Sequence, residues 1–276
     1  MTSTPAPAAL AGVSGPLVLA GAGKMGGAML AGWLAGGLDP NVVTVIEPTP
    51  SEDIRALAAR GVRLNSGDTA IAEVLVLAIK PQMFTKASAA LRAFVGPSTL
   101  VVSIMAGKPI AAIAAGCGGD VVRAMPNTPA AIGRGMTVAV AAREVSAAQR
   151  ALSDALLRAT GSVEWVDDEA LMDAVTAVSG SGPAYVFLLA EELAKAGVAA
   201  GLPPQLAATL ARETVAGAGE LLHRSDLDAA VLRQNVTSPG GTTAAALNVL
   251  MAADAMPRIM IEAIAAATKR SRELAG

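Results

Sequence analysis

The chain has 276 residues, 53% hydrophobic and 2% aromatic, with a formal net charge of −2. That length is comfortable for two domains, and small aliphatic side chains must fill their cores. With no basic stripe and few rings to stack on bases, nucleic-acid binding is disfavoured; the lone Cys117 builds neither an internal disulfide nor a metal site and fits a reducing cytoplasm.

The mean hydropathy is +0.52, so a membrane span has to be considered. The best stretch, residues 174–190, is short for a span and is broken by Gly180-Ser181-Gly182-Pro183. A secretory signal places basic residues before its apolar run, whereas here the first one, Lys24, follows it.

Residues 1–14, rich in Pro, Ala, Ser and Thr, read as a flexible leader. Leu17-Val18-Leu19-Ala20 reads as a strand, and a helix follows over 24–34. Val42-Val43-Thr44-Val45-Ile46 is a second strand, stopped by Pro48 and Pro50. Residues 52–60 are helical, with Gly61 placed as a C-terminal cap. The apolar run 74–79 suits a strand buried on both faces. Segments 100–104 and 121–125 continue the pattern, and 136–140 and 163–166 extend the sheet. Ser146-Ala147-Ala148-Gln149 resembles a capping box opening a helix to Ala159. Strands alternating with helices predict a mostly parallel sheet with helices on both faces, a Rossmann-type α/β domain over 15–167. After Trp165 the strand signals stop. The text is helical over about 171–179, 183–200, 204–222, 227–235, 242–253 and 257–274. An all-helical domain is therefore expected over 168–276.

Gly21-Ala22-Gly23-Lys24-Met25-Gly26 is a G-x-G-x-x-G run between a predicted strand and a predicted helix. The first glycine permits the tight turn, the second lets a pyrophosphate approach the backbone, and the third lets helix pack on strand. The helix N-terminus then offers free N–H groups to the anion. An acidic residue is expected at the end of the second strand, and Glu47 stands there. Its carboxylate could accept from an adenosine ribose 2′-OH, which favours NAD; Thr49, Ser51 and Arg55 could instead hold a 2′-phosphate. A solvated strand end remains the plain alternative for Glu47.

Ligands of such sheets bind beyond the carboxyl ends of the strands. Those ends carry Ala78-Ile79-Lys80-Pro81, Met105-Ala106-Gly107 and Pro126-Asn127-Thr128-Pro129. Small residues and kinks would let a nicotinamide lie across them. Asn127 could hydrogen-bond its carboxamide or the substrate, or could serve only to reverse the chain.

Asn235-Val236-Thr237-Ser238-Pro239-Gly240-Gly241-Thr242-Thr243 joins two predicted helices by a polar, glycine-opened turn. Unpaired N–H groups and hydroxyls gathered there suit a carboxylate; Ser238 as an ordinary N-cap is the bland reading. Gly180-Ser181-Gly182-Pro183 suggests close approach of a neighbouring element. His223, the single histidine, falls at a predicted helix end, and no Ser-His-Asp set or metal-ligand cluster is present. Reduction of a protonated imine, whose carbon is already electrophilic, fits that scarcity of acid–base groups.

These stretches together resemble pyrroline-5-carboxylate reductases over nearly the whole chain after the leader, most specifically at 236–243. The resemblance implies reduction of L-1-pyrroline-5-carboxylate to L-proline by NADPH or NADH. It implies a helical domain that intertwines with its copy in a homodimer, and larger rings of dimers occur in the family. By matching position, Ser238, Gly240, Gly241 and Thr242 would hold the substrate carboxylate, and Thr243 would bond the ring nitrogen and help deliver its proton. Lys80, Ser103, Met105, Ala106 and Gly107 would line the nicotinamide side. The chain departs from the family's usual text at Lys24, at Glu47-Pro48-Thr49-Pro50-Ser51, and at Met105, which stands where a small alanine is usual and would crowd the nicotinamide slot. Two other readings are a related imine or β-hydroxyacid reductase and a nucleotide sensor without catalysis. The first usually needs a catalytic lysine, and Lys195 lacks the glycine-rich text expected beside it; the intact hydroxyls of 238–243 argue against the second.

Overall fold

The computed structural model describes residues 10–275. These divide into two compact units, residues 10–180 with 268–275, and residues 181–267. The first unit holds one eight-stranded sheet: β1 (Leu17–Ala20), β2 (Val43–Ile46), β3 (Arg63–Leu64), β4 (Val74–Leu77), β5 (Leu100–Ser103), β6 (Asp120–Met125), β7 (Gly135–Ala141) and β8 (Gly161–Trp165). The helices are α1 (Lys24–Ala35), α2 (Glu52–Ala56), α3 (Phe84–Leu91), α4 (Ile110–Cys117), α5 (Ala147–Arg158), α6 (Met172–Val175), α7 (Gly182–Ala199), α8 (Pro204–Arg224), α9 (Ala229–Asn235), α10 (Thr242–Leu250) and α11 (Met256–Ala275).

The strand order is β3-β2-β1-β4-β5-β6-β7-β8, and every neighbouring pair is parallel except β6–β7. A parallel neighbour needs a crossover, whereas an antiparallel one needs only the short connection 126–134. Alternate residues of β1 point to opposite faces, and both faces are covered. Leu17 and Leu19 join Val43, Val74 and Trp33 in one core, while Val18 and Ala20 join Leu75, Phe84 and Ile113 in another. Trp33 ties α1 to α5 by donating from Nε1 to the Leu156 carbonyl at 2.8 Å. The expected capping box forms: Ser146 Oγ accepts from the Gln149 N–H, and Gln149 Oε1 from the Ser146 N–H.

Two expectations change. Leu10 and Val13, within the stretch read as a flexible leader, pack into the Trp33 core; residues 1–9 of that stretch lie outside the described residues. The helical text begins near residue 168, but 168–180 packs with the sheet. Met172 is buried against Val138 and Val140, and Asp173 Oδ1 accepts from Ser271 Oγ at 2.7 Å.

The helical unit has almost no interior of its own. Between residues 181 and 267 the only buried hydrophobic side chains are Ala207 and Ala211. Large apolar side chains face outward instead, among them Phe187 (67% exposed), Val249 (70%) and Ile261 (72%). A surface of that kind marks an interface, since a monomeric protein rarely leaves so much apolar area in water. Among the described residues no helix is long and apolar enough to cross a membrane.

Candidate functional site

The glycine run makes the turn from β1 into α1, and each glycine meets a different demand. Gly21 has φ +93°, and a Cβ there would lie 2.6 Å from the Ala78 carbonyl oxygen. The run thus crosses the end of β4 at backbone contact. A Cβ on Gly26 would strike the Gly21 carbonyl oxygen and come within 3.0 Å of the Ala78 Cβ. Gly23, the N-cap of α1, has open space around it and is exposed. No side chain caps α1 and its first turn carries no acid, so its N–H groups stay available to an anion. Lys24 stands exposed beside them, and Met25 is half-buried.

A cavity of about 1140 Å³ opens over this turn. Its walls are Gly21, Ala22, Gly23 and Lys24, then Glu47, Pro48 and Thr49 beyond β2, and Ala78, Ile79 and Lys80 beyond β4. Ile54 and Leu57 supply an apolar side. Pro81 starts the 3₁₀ turn that leads away from Lys80 into α3. The glycine set, both neighbouring strand ends and Glu47 therefore meet in one place, and a backbone with room at Gly23 suits a dinucleotide pyrophosphate.

Glu47 is not a solvated strand end. Its Oε2 accepts from the Ala22 N–H at 2.9 Å, and its Oε1 from the Thr49 N–H at 3.1 Å and the Thr49 hydroxyl at 3.3 Å. Its backbone is held by Asn65, whose Oδ1 accepts from the Glu47 N–H and whose Nδ2 donates to the Glu47 carbonyl, both at 2.9 Å. The sequence reading missed Asn65. The available signal was Asn65-Ser66-Gly67, since asparagine tolerates the left-handed region that Asn65 occupies at φ +50°.

Two side chains expected along the nicotinamide are buried. Ser103 is 0% exposed, with its hydroxyl accepting from the Met105 N–H at 3.3 Å. Met105 is buried among Leu77, Phe84 and Ile113. A side chain without free surface cannot touch a ligand, and Met105 turns into the core rather than crowding a slot. Of that strand end Ala106 is exposed, while Gly107 makes a buried turn at φ +70°. Asn127 is also engaged: its Oδ1 accepts from the Met136 N–H at 2.8 Å and its Nδ2 donates to the Ser179 carbonyl at 3.2 Å. It braces the Pro-rich turn. Gly180 allows close packing, since a Cβ there would lie 2.5 Å from the Met125 Cε.

In the helical unit, the turn before α10 is closed by the Gly241 N–H donating to the Ser238 carbonyl at 3.1 Å. Gly240 sits at φ +69°. Gly241, not Ser238, is the N-cap, and no side chain bonds to the first turn of α10. A Cβ on Gly241 would come 2.6 Å from Ser238 Oγ, so the glycine makes room for that hydroxyl. Ser238, Thr242 and Thr243 thus accompany uncapped helical N–H groups, an arrangement whose chemistry suits an anion. His223 is exposed in the last turn of α8. Lys195 is exposed and paired with Glu191 and Glu192 at 2.7 Å each, and hydrogen bonds to those carboxylates hold its ammonium well above the ordinary lysine range. It is no candidate base.

A doubly covered parallel sheet, a glycine turn with an open helix N-terminus, and a helical unit without its own core define a nicotinamide-dinucleotide oxidoreductase that oligomerises through its helices. Comparison with known proteins narrows this. The family described as pyrroline-5-carboxylate reductase dimerisation matches residues 169–274, and the family described as NADP oxidoreductase coenzyme F420-dependent matches residues 17–107. The chain is 40% identical to the pyrroline-5-carboxylate reductase of Pseudomonas aeruginosa, over 92% of this chain and 95% of that protein. It is 46% identical to that of Synechocystis, over 74% and 76%. The solved pyrroline-5-carboxylate reductase of Coxiella burnetii superposes with a TM-score of 0.87 at 33% identity, covering 95% of this chain and 99% of the other. The Plasmodium falciparum pyrroline carboxylate reductase with NADP bound superposes with a TM-score of 0.77 at 28% identity, covering 95% and 99%. The chain belongs to the pyrroline-5-carboxylate reductase family.

Proposed function

We infer that the protein reduces L-1-pyrroline-5-carboxylate to L-proline with a reduced nicotinamide dinucleotide, and works as a homodimer. The observation that carries this reading is the turn before α10. Gly240 holds a left-handed conformation, Gly241 leaves space for the Ser238 hydroxyl, and the helix N-terminus has no internal cap.

The Thr242 N–H at the open end of α10, with the Ser238 hydroxyl, would hold the substrate carboxylate, while the Gly241 N–H keeps the turn closed on the Ser238 carbonyl. Gly21, Ala22, Gly23, Lys24, Met25 and Gly26 would seat the pyrophosphate, and Ala78, Ile79, Lys80, Pro81, Ala106 and Gly107 would edge the nicotinamide. That cofactor, when bound, supplies the hydride that adds to the imine carbon. The C=N π electrons pass to nitrogen, which retains the proton that made the carbon electrophilic. The Thr243 hydroxyl would hydrogen-bond that nitrogen and steady its proton. No strong base is required, in keeping with the exposed His223 and the salt-bridged Lys195. Asn127 braces the Pro-rich turn through Met136 and Ser179. The apolar surface of the helical unit is covered by a second copy; assembly of dimers into rings is compatible with that unit, as is a cytoplasmic location.

Thr243→Ala tests the assignment. Loss of a hydrogen bond to a charged group corresponds to about 1.5–3 kcal/mol, roughly ten- to a hundredfold in turnover. Cofactor affinity measured by calorimetry should stay near wild type. A collapse of cofactor binding would place Thr243 in a different site.

A further inference from the structure

We propose that Glu47, positioned by Asn65, makes this enzyme selective for NADH over NADPH. The proposal rests on the reductase reading for its reaction, but on the cavity beyond β2 for its content. Glu47 lines the same cavity as the glycine turn, at the end of the strand beside it. Both of its ends are fixed: Asn65 brackets its peptide with two 2.9 Å hydrogen bonds, and the Ala22 N–H holds Oε2 at 2.9 Å. The clamp requires Asn65 to sit at φ +50°, the only non-glycine residue in that region among the described residues. A conformation unfavourable to side chains is thus retained where it orients this carboxylate.

A carboxylate offers about four acceptor sites. The Ala22 and Thr49 N–H groups take one on each oxygen, and the Thr49 hydroxyl takes a further one at 3.3 Å. Oε2 therefore keeps one site, enough to accept from a ribose 2′-hydroxyl. A 2′-phosphate has no proton to give there and meets a negative charge instead. Of the groups that could have welcomed it, Arg55 is not part of the cavity lining. The Thr49 hydroxyl faces Glu47, the Ser51 hydroxyl accepts from the Ile54 N–H as the N-cap of α2, and Glu52 and Asp53 occupy the first turn of that helix. Lys24 and Arg60 also line the cavity, so it stays hospitable to the pyrophosphate; the discrimination is local to Glu47.

The test measures binding as well as turnover. Full-length protein is titrated calorimetrically with NADH and NADPH, and with AMP and adenosine 2′,5′-bisphosphate, which isolate the adenosine end. The wild type should bind the member without the 2′-phosphate about tenfold or more tightly in each pair, the scale of one hydrogen bond to a charged group. Glu47→Gln, which keeps the shape and removes the charge, and Glu47→Ser should narrow or invert both ratios. Asn65→Gly keeps the backbone conformation accessible and removes only the clamp. It should raise KM for NADH while leaving kcat at saturating NADH unchanged. Wild-type preference for the 2′-phosphorylated ligands, or ratios unmoved in both Glu47 variants, would overturn the proposal; an unchanged KM in folded Asn65→Gly would remove Asn65 from it. Failure to reduce the imine with either cofactor, with the binding ratios intact, would defeat the reductase reading and not this one.

Discussion

Gly241→Ala separates the substrate turn from ordinary helix capping. Gly241 has φ −81° and ψ 174°, which alanine adopts without strain. The added methyl meets a single close neighbour, Ser238 Oγ at 2.6 Å, with the Ser238 carbonyl next at 3.2 Å. The hydroxyl must turn away, and its bond to the substrate carboxylate is lost. That bond corresponds to about 1.5–3 kcal/mol, or roughly ten- to a hundredfold in KM for the imine. Stability should change by less than about 1 kcal/mol, because the turn is exposed and no core atom is displaced. Steady-state kinetics with saturating cofactor reads the first quantity and a urea titration the second. Gly240→Ala is the contrast: its Cβ meets nothing within 4 Å, but φ +69° is left-handed, so about 1–2 kcal/mol of strain should reshape the turn. An unchanged imine KM in folded Gly241→Ala, or a loss confined to cofactor binding, would refute the placement of the carboxylate.

Three further outcomes are expected. Gly26→Ala drives a methyl into the Gly21 carbonyl; a backbone atom cannot move aside cheaply, so a loss of about 1–3 kcal/mol in the urea titration, with weakened cofactor binding, should follow. Phe187→Glu places a charge on the apolar surface of α7, where Phe187 is 67% exposed, and should shift sedimentation from dimer toward monomer; an intact dimer would remove that face of α7 from the interface. Burial pushes the Cys117 thiol up to about 11 from 9.0, against a smaller opposing pull from Arg92. Above about pH 9 the unfolded chain releases this proton while the folded chain keeps it, so stability should fall as pH rises from about 9 to about 11. Cys117→Ala should lose that part of the alkaline decline, and a wild-type-like decline in the variant would show that another group causes it.

Residues whose role is local were readable in the sequence. The glycine turn, the Ser146–Gln149 capping box and the Gly61 cap at φ +104° each need particular residue types at fixed spacing, and each stands where the text placed it. What escaped depended on packing. Strand β3 has only two residues, too few to show alternation. Helices α3 and α4 lack a side-chain cap, so nothing in the text marked their starts. Ser103 and Met105 occupy a strand end that faces a ligand in sequence logic, yet their side chains turn inward. Asn65 lies 18 residues from Glu47 and reaches it only because β2 and β3 pair. The helical text from 168 gave no hint that Met172 belongs to the core beside the sheet.

The most direct measurement is the loss of reduced-nicotinamide absorbance when purified protein is mixed with pyrroline-5-carboxylate and either NADH or NADPH. Conversion to proline with kcat/KM of about 10⁴ M⁻¹s⁻¹ or more is the result expected of a dedicated enzyme, with NADH the better donor. Folded, dimeric protein that binds the cofactor and turns over no imine with either donor would contradict the assignment.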